Sequence, residues 1–240
     1  MPTLCFPLRF VAAALSCAIT AGSVFASSFS TTLTPVLATD SINISALGTM
    51  DWAVYNTWTA TPGAPFTLGT LSGPEMSGGS GLGTVQSSLL QTPGVMAGSP
   101  PAYTWTNGDS PTSGSYEGMI ARYNWALSGS AFADTTMRTL YLFIGVSESQ
   151  TASISISLPG TTTVNLPIAW TGTASTPSYS LLAINYTGDN IGDSLTFSLT
   201  GLRVGIGAAA LTSAIPEPST YAYLLGCAGL IVAVVVRRRR

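Results

Sequence analysis

The chain predicts an all-β fold, an antiparallel two-sheet sandwich of jelly-roll-like build, set between an N-terminal signal helix and a C-terminal transmembrane helix. Three observations carry that expectation. Apolar and polar residues alternate with period 2 through most of the middle of the chain. The intervals between these runs are punctuated by Gly, Ser, Pro and Asn. Charged residues make up only 8% of the 240 residues, too few for surface helices, which are normally built with Glu, Lys and Arg. One domain of ordinary size fits this length once the ends are set aside.

Residues 1–26 read as a secretory signal peptide. Arg9 supplies the positive charge, an apolar stretch runs from Phe10 to Ala18 and weakly on to Phe25, and Val24-Phe25-Ala26 fits the small-x-small rule. The expected cut lies between Ala26 and Ser27, with the Sec machinery as the partner. Ser16, Thr20, Gly22 and Ser23 interrupt the run before it reaches the roughly 20 residues of a membrane span.

Residues 27–211 form the expected exported β-sandwich domain. Ala152 to Leu158 (ASISISL) and Leu195 to Leu199 (LTFSL) alternate without a break and should each bury one face. Arg138 to Val146 (RTLYLFIGV) is apolar on both faces, which places it centrally with cover on each side. Further strands are expected at 42–47, 51–58, 64–71, 102–106, 116–127, 162–170, 179–187 and 202–211, with no helix outside the termini. Residues 72–101 read as a long Gly/Ser/Pro-rich loop, either a binding loop or an idle insertion. Ala208 to Ala214 is expected to act as a tether.

The C-terminal segment, 212–240, carries the most specific pattern. Ile215-Pro216-Glu217-Pro218-Ser219-Thr220 precedes a nearly uncharged run from Tyr221 to Val236, and Arg237, Arg238, Arg239 and Arg240 follow. Sixteen helical residues rise about 24 Å, so a span over 219–236 draws Ser219 and Thr220 into the interface. The arginines stay cytoplasmic by the positive-inside rule, which puts everything before them outside the inner membrane. Two prolines fix φ and stop the helix from propagating, so Glu217 sits on an extended segment that a peptidase can grip. A plain tail anchor with a Pro-rich linker is the competing reading.

Pro216-Glu217-Pro218 with Ser219-Thr220, the short apolar helix and the Arg run together resemble the PEP-CTERM sorting signal of Gram-negative bacteria, over about a tenth of the chain. Cys227 departs from the small or aliphatic residues usual in that helix. The resemblance implies that an exosortase, a membrane-embedded cysteine peptidase, recognises the 215–220 motif, removes the helix and arginines, and passes the protein to the cell surface. It also implies a setting of exopolysaccharide and biofilm material. Trp105-Thr106-Asn107-Gly108 and Arg138-Thr139-Leu140 are loosely similar to strand patterns in the β-sandwiches of other such surface proteins.

Composition narrows the chemistry. The chain has no His and no Lys, and Cys5, Cys17 and Cys227 all lie in the terminal segments. Catalytic triads, Cys-His pairs, Schiff-base lysines and ordinary zinc sites therefore cannot be assembled in the domain, and no disulfide framework holds it. Arg122, Arg138 and Arg203 face nine carboxylates between Asp40 and Asp193, a balance of about −6 that suits no phosphate backbone, so nucleic acid is not an expected partner.

Carboxylate chemistry remains open. Asp109 with Glu117, or Asp189 with Asp193, could serve a glycosidic bond, although both contexts are ordinary turns. Asp189, Asn190 and Asp193 are a candidate calcium set in composition, with a solvated turn as the competing reading. Trp52, Trp58 and Trp105 could stack on a glycan if exposed, or pack in the core. Asn43-Ile44-Ser45 and Asn185-Tyr186-Thr187 match glycosylation acceptors. The expected protein has no catalytic residues and no cofactor. It is a structural cell-surface component, with a carbohydrate-binding module as the alternative and a carboxylate glycosidase further behind.

Overall fold

β-Branched and apolar residues at every second position give the middle of the chain a sheet-forming face and a solvent face, and the folded body follows that pattern. A computed structural model describes residues 26–59, 66–72, 81–87, 93–96, 98, 100–108, 113–122, 125–147, 152–169 and 176–213. The signal segment before Ala26, the sorting motif, the expected membrane helix and the arginine tail lie outside the described residues. Among the described residues no helix is long and apolar enough to cross a membrane.

The strands run β1 (Ser28–Val36), β2 (Ser41–Asn43), β3 (Asp51–Thr59), β4 (Thr67–Ser72), β5 (Gln86–Ser87), β6 (Gly94–Val95), β7 (Ala102–Trp105), β8 (Gly114–Glu117) and β9 (Ile120–Arg122). They continue as β10 (Trp125–Ala133), β11 (Arg138–Val146), β12 (Ala152–Ser157), β13 (Val164–Ile168), β14 (Ser178–Thr187), β15 (Asp193–Gly201) and β16 (Val204–Ser213). A one-turn helix, α1 (Ile44–Leu47), interrupts the expected strand at 42–47. The Asn43 side chain accepts a hydrogen bond from the Ala46 N–H, so a local N-cap wins over strand propensity there.

The expected pair of separate sheets is instead one thirteen-stranded sheet curled on itself, with a three-stranded sheet beside it. The long ladder runs β1-β14-β11-β16-β3-β4-β5-β10-β15-β12-β13, so the two facing layers are halves of a single sheet. The small sheet is β2-β7-β8, and its β2–β7 pair is parallel, against the expected antiparallel order. The main core lies between the two halves, with Leu140, Leu142, Ile144, Leu182 and Ile184 from one side meeting Leu127, Ile154, Ile156, Leu195 and Leu199 from the other.

β11 is central as its sequence predicts, paired with β14 on one side and β16 on the other. Its second face is covered by the small sheet and α1. Phe143, Trp52, Val54, Tyr103, Trp105 and Ile44 form that second core, and Ala208 and Ala210 of β16 leave room for the rings. β16 carries one extra residue at Gly207, where the register to β11 shifts; any side chain there would run into the Tyr103 hydroxyl.

Several boundaries differ from expectation: the expected strand at 116–127 is divided among β8, β9 and the start of β10, and most of β10 has no expected counterpart. β1 has no counterpart among the expected strands, because Ser28–Val36 (SFSTTLTPV) is largely exposed and has a weak apolar face. Residues 208–213 are part of a buried strand and not a tether, since the alanines that look featureless in sequence fit under large rings. Within the expected loop 72–101, two short stretches pair with the body: Gly83 donates its N–H to the Ser130 carbonyl, and Met96 donates to the Met119 carbonyl. Val85 and Met96 are buried, and they are the signal in an otherwise Gly-rich stretch.

Candidate functional site

Along β10, β15 and β12 the inward residues are Leu127, Ala131, Leu195, Leu199, Ile154 and Ile156, so strict alternation sends Ser and Thr outward. Strand register then lines these hydroxyls up in rows. Gln86 stands opposite Ser128, Ser128 opposite Ser198, Ser198 opposite Ser155, and Ser155 opposite Asn165. That row crosses five strands, roughly 19 Å at about 4.8 Å per step. A second row joins Ser130, Thr196 and Ser157, and a third joins Thr200 to Ser153, whose hydroxyls lie 3.0 Å apart.

A groove of about 390 Å³ follows the first two rows. It is lined by Thr84, Gln86, Ser128, Ser130, Ser155, Ser157, Thr196 and Ser198, with Gly129 and Phe197 between them, and none of its lining residues carries a charge. Such a surface offers many donors and acceptors and no fixed charge. The groove is not among the sequence-based candidates, although its signal is there: three Ser/Thr-alternating strands, whose adjacency only the pairing reveals.

Trp52 and Trp105 occupy the second core, 1% and 3% exposed, with ring centroids 5.7 Å apart. The Trp52 indole N–H donates to Asn107 Oδ1 at 3.0 Å. The exposed stacking platform considered for these two rings is thereby replaced by core packing, because the small sheet and α1 cover the outer face of β3. Trp58 is half-buried and packs against the main core.

The turn carboxylates are engaged by backbone amides. Asp193 Oδ2 accepts from the N–H groups of Asp189 and Asn190 at 3.0 and 2.9 Å, and Asp189 Oδ1 accepts from the Ser27 N–H. This is a hydrogen-bonded turn between β14 and β15, the competing reading of the calcium set. Among the described residues no group of three or more acidic, His or Cys side chains could hold a metal ion. Glu117 is exposed at the end of β8, and Asp109 lies outside the described residues. The two sequons are used structurally: Asn43 caps α1, and Asn185 Oδ1 accepts from the Thr139 hydroxyl at 2.7 Å.

No family model and no curated protein matches this chain. Among solved structures it is similar to TmCBM61, determined in complex with beta-1,4-galactotriose, with 12% identity and a TM-score of 0.36 over 54% of this chain and 87% of that one.

Two charged groups outside the sequence-based candidates are buried. Asp51 is 3% exposed; its Oδ1 accepts from the Trp52 N–H at 2.8 Å and its Oδ2 from the Leu82 N–H at 2.7 Å. The neighbouring Tyr55 hydroxyl is pushed well above its ordinary pKa, first by burial and then by the Asp51 charge. Arg138 is 6% exposed at the start of β11. Its guanidinium bridges both oxygens of Asp134, at 3.1 and 2.5 Å, and lies 4.8 Å above the Phe132 ring. Position parity is the signal for both, since Asp51 and Arg138 fall on the inward side of strands expected from sequence.

Proposed function

We propose that this is an exported cell-surface protein, a structural component associated with exopolysaccharide, which an exosortase frees from the inner membrane. The observation that carries this reading is where the folded body begins and ends. Ser28 stands opposite Thr187, Arg138 opposite Tyr186, and Arg138 also opposite Ser213. Ser28 and Ser213 are therefore at one end of the sheet, three strand steps or roughly 14 Å apart.

The chain thus enters the described body near Ser28 and leaves it at Ser213 at the same end of the sheet, as a body held against one membrane requires. Only Ala214 and Ile215 separate Ser213, the last described residue of the sheet, from Pro216. A motif this close in sequence to Ser213 leaves the peptidase few residues to grip, and Pro216 and Pro218 disfavour helix there. Mass spectrometry of surface material should find no peptide containing Tyr221 to Arg240 in cells with a working exosortase, and an intact tail in cells lacking it. An intact tail in both would leave an ordinary anchored protein.

The hydroxyl-lined groove favours a second reading, a carbohydrate-binding module for neutral glycans. Retention in affinity electrophoresis through neutral polysaccharide gels should be lost on Ser198→Arg, which places a bulky cation at the centre of the first row. Equal mobility of the wild-type protein with and without polysaccharide would end that reading and leave the structural one.

A further inference from the structure

We propose that Asp189 is the seat of a new chain terminus at Ser27, so that removal of the signal peptide converts a backbone hydrogen bond into an ion pair that pins the first strand to the sheet. This rests on the export reading and extends it to a residue that export was not expected to involve.

The backbone nitrogen of Ser27 donates to Asp189 Oδ1 at 2.5 Å, across 162 positions of sequence. Three segments build the seat. The β14–β15 turn fixes the Asp189 backbone through the two amides that Asp193 accepts. The β12–β13 turn brings Gly160 alongside with φ at +81°; a Cβ there would lie 2.6 Å from Asp189 Oδ2 and 3.0 Å from Ser27 Oγ. Glycine is required both by that backbone angle and by the space. β1 then starts at the next residue, Ser28.

Burial changes at this same bond. Ala26 is exposed, whereas Ser27 is half-buried with its Oγ enclosed and without a hydrogen-bond partner among the described residues. The peptide bond between them is the one that immediately precedes the nitrogen held by Asp189. Hydrolysis by water at that bond leaves a carboxylate on Ala26 and an amine on Ser27, which takes up a proton at neutral pH because an α-amino group titrates near 7.7–8.0. The single N–H that now meets Asp189 becomes an ammonium, and the contact becomes charge-assisted. Among the described residues β1 is an edge strand paired with β14, and because Asp189 is exposed the ion pair acts locally, limiting fraying at the start of β1 rather than adding much to global stability.

The sign of the pH effect follows. Beside a carboxylate the α-amino pKa rises above its unfolded value, so the stabilisation is complete below about pH 7.7 and is lost as pH rises through the higher folded value.

The test uses the full chain, exported by a secreting host. Mass spectrometry should give Ser27 as the first residue. NMR titration of the Ser27 α-amine should show its pKa raised by about one unit in the wild type, with return to the ordinary range in Asp189→Asn. A first residue other than Ser27, or α-amines that titrate alike in the two proteins, would overturn the proposal while leaving export intact. A chain recovered from the cell envelope with residues 1–26 still attached would overturn the export reading as well.

Discussion

Asp134→Ala is expected to lower the unfolding free energy by about 3 kcal/mol, read as a shift of the urea midpoint at pH 7. The cost does not come from losing an attraction at the surface, where an ion pair is worth little. It comes from Arg138, whose side chain is 7% exposed and cannot be deprotonated, and which would be left as a cation in the protein interior. The Phe132 ring face and the Met50 sulfur beside the guanidinium do not replace a carboxylate. An Asp134→Ala/Arg138→Met double substitution should recover most of the loss, because an apolar side chain of similar length fills the site with no charge to satisfy. If the double variant is no more stable than the single one, the bridge is not what holds this end of the sheet.

The same pair sets a pH dependence. Burial alone would raise the Asp134 carboxyl, but hydrogen bonds from Arg138 and Thr136 and the Arg138 charge outweigh it and hold the pKa below its usual value. A depressed folded pKa means that the contribution is full above the unfolded value near 3.9 and disappears as pH falls through the lower folded one. Wild-type stability should therefore drop more steeply than that of the double variant on acidification below about pH 4.

Trp52→Ala is expected to cost about 3–5 kcal/mol, enough to leave the domain partly unfolded at 37 °C. The ring is among the largest fully buried groups, it meets Trp105, and its N–H satisfies Asn107, a residue that follows the small sheet's β7. Removing it opens a cavity between the curled sheet and the small sheet and frees the Asn107 side chain. Thermal unfolding followed by near-UV circular dichroism would show a lower midpoint for the variant. A variant that unfolds like the wild type yet loses retention on polysaccharide would mean that this ring faces a ligand. This contrasts with Ser198→Arg, which should leave the midpoint unchanged.

Much of the fold is legible in the order of the residues alone. Arg138 to Val146 reads as a central strand because both of its faces are apolar, and β12 and β15 read as half-buried because hydroxyls and aliphatics alternate without a break. These are local periodicities, and a period of two permits only one inward set. The Asp189–Asp193 turn is equally readable as a turn, since Gly, Asp and Asn favour one wherever they cluster.

Other features have no local signature. β1 is recognisable only beside β14, and α1 arises from one Asn side chain competing with a strand. The role of Ala208 and Ala210 depends on rings contributed by β3 and β7, which alanine cannot announce.

Periodicity and composition settle the class of the fold, the polarity of each strand's two faces, the exclusion of His, Lys and thiol chemistry from the body, and the expectation of an exported chain. The pairing of distant strands settles that one sheet curls to make both layers, that Trp52 and Trp105 are enclosed, that hydroxyls from neighbouring strands form one surface, and that Ser27 reaches Asp189. The reason is physical: periodicity and composition act over neighbouring residues, whereas strand order and cover are set by contacts between segments far apart in the chain, and those contacts settle which outward face stays wet.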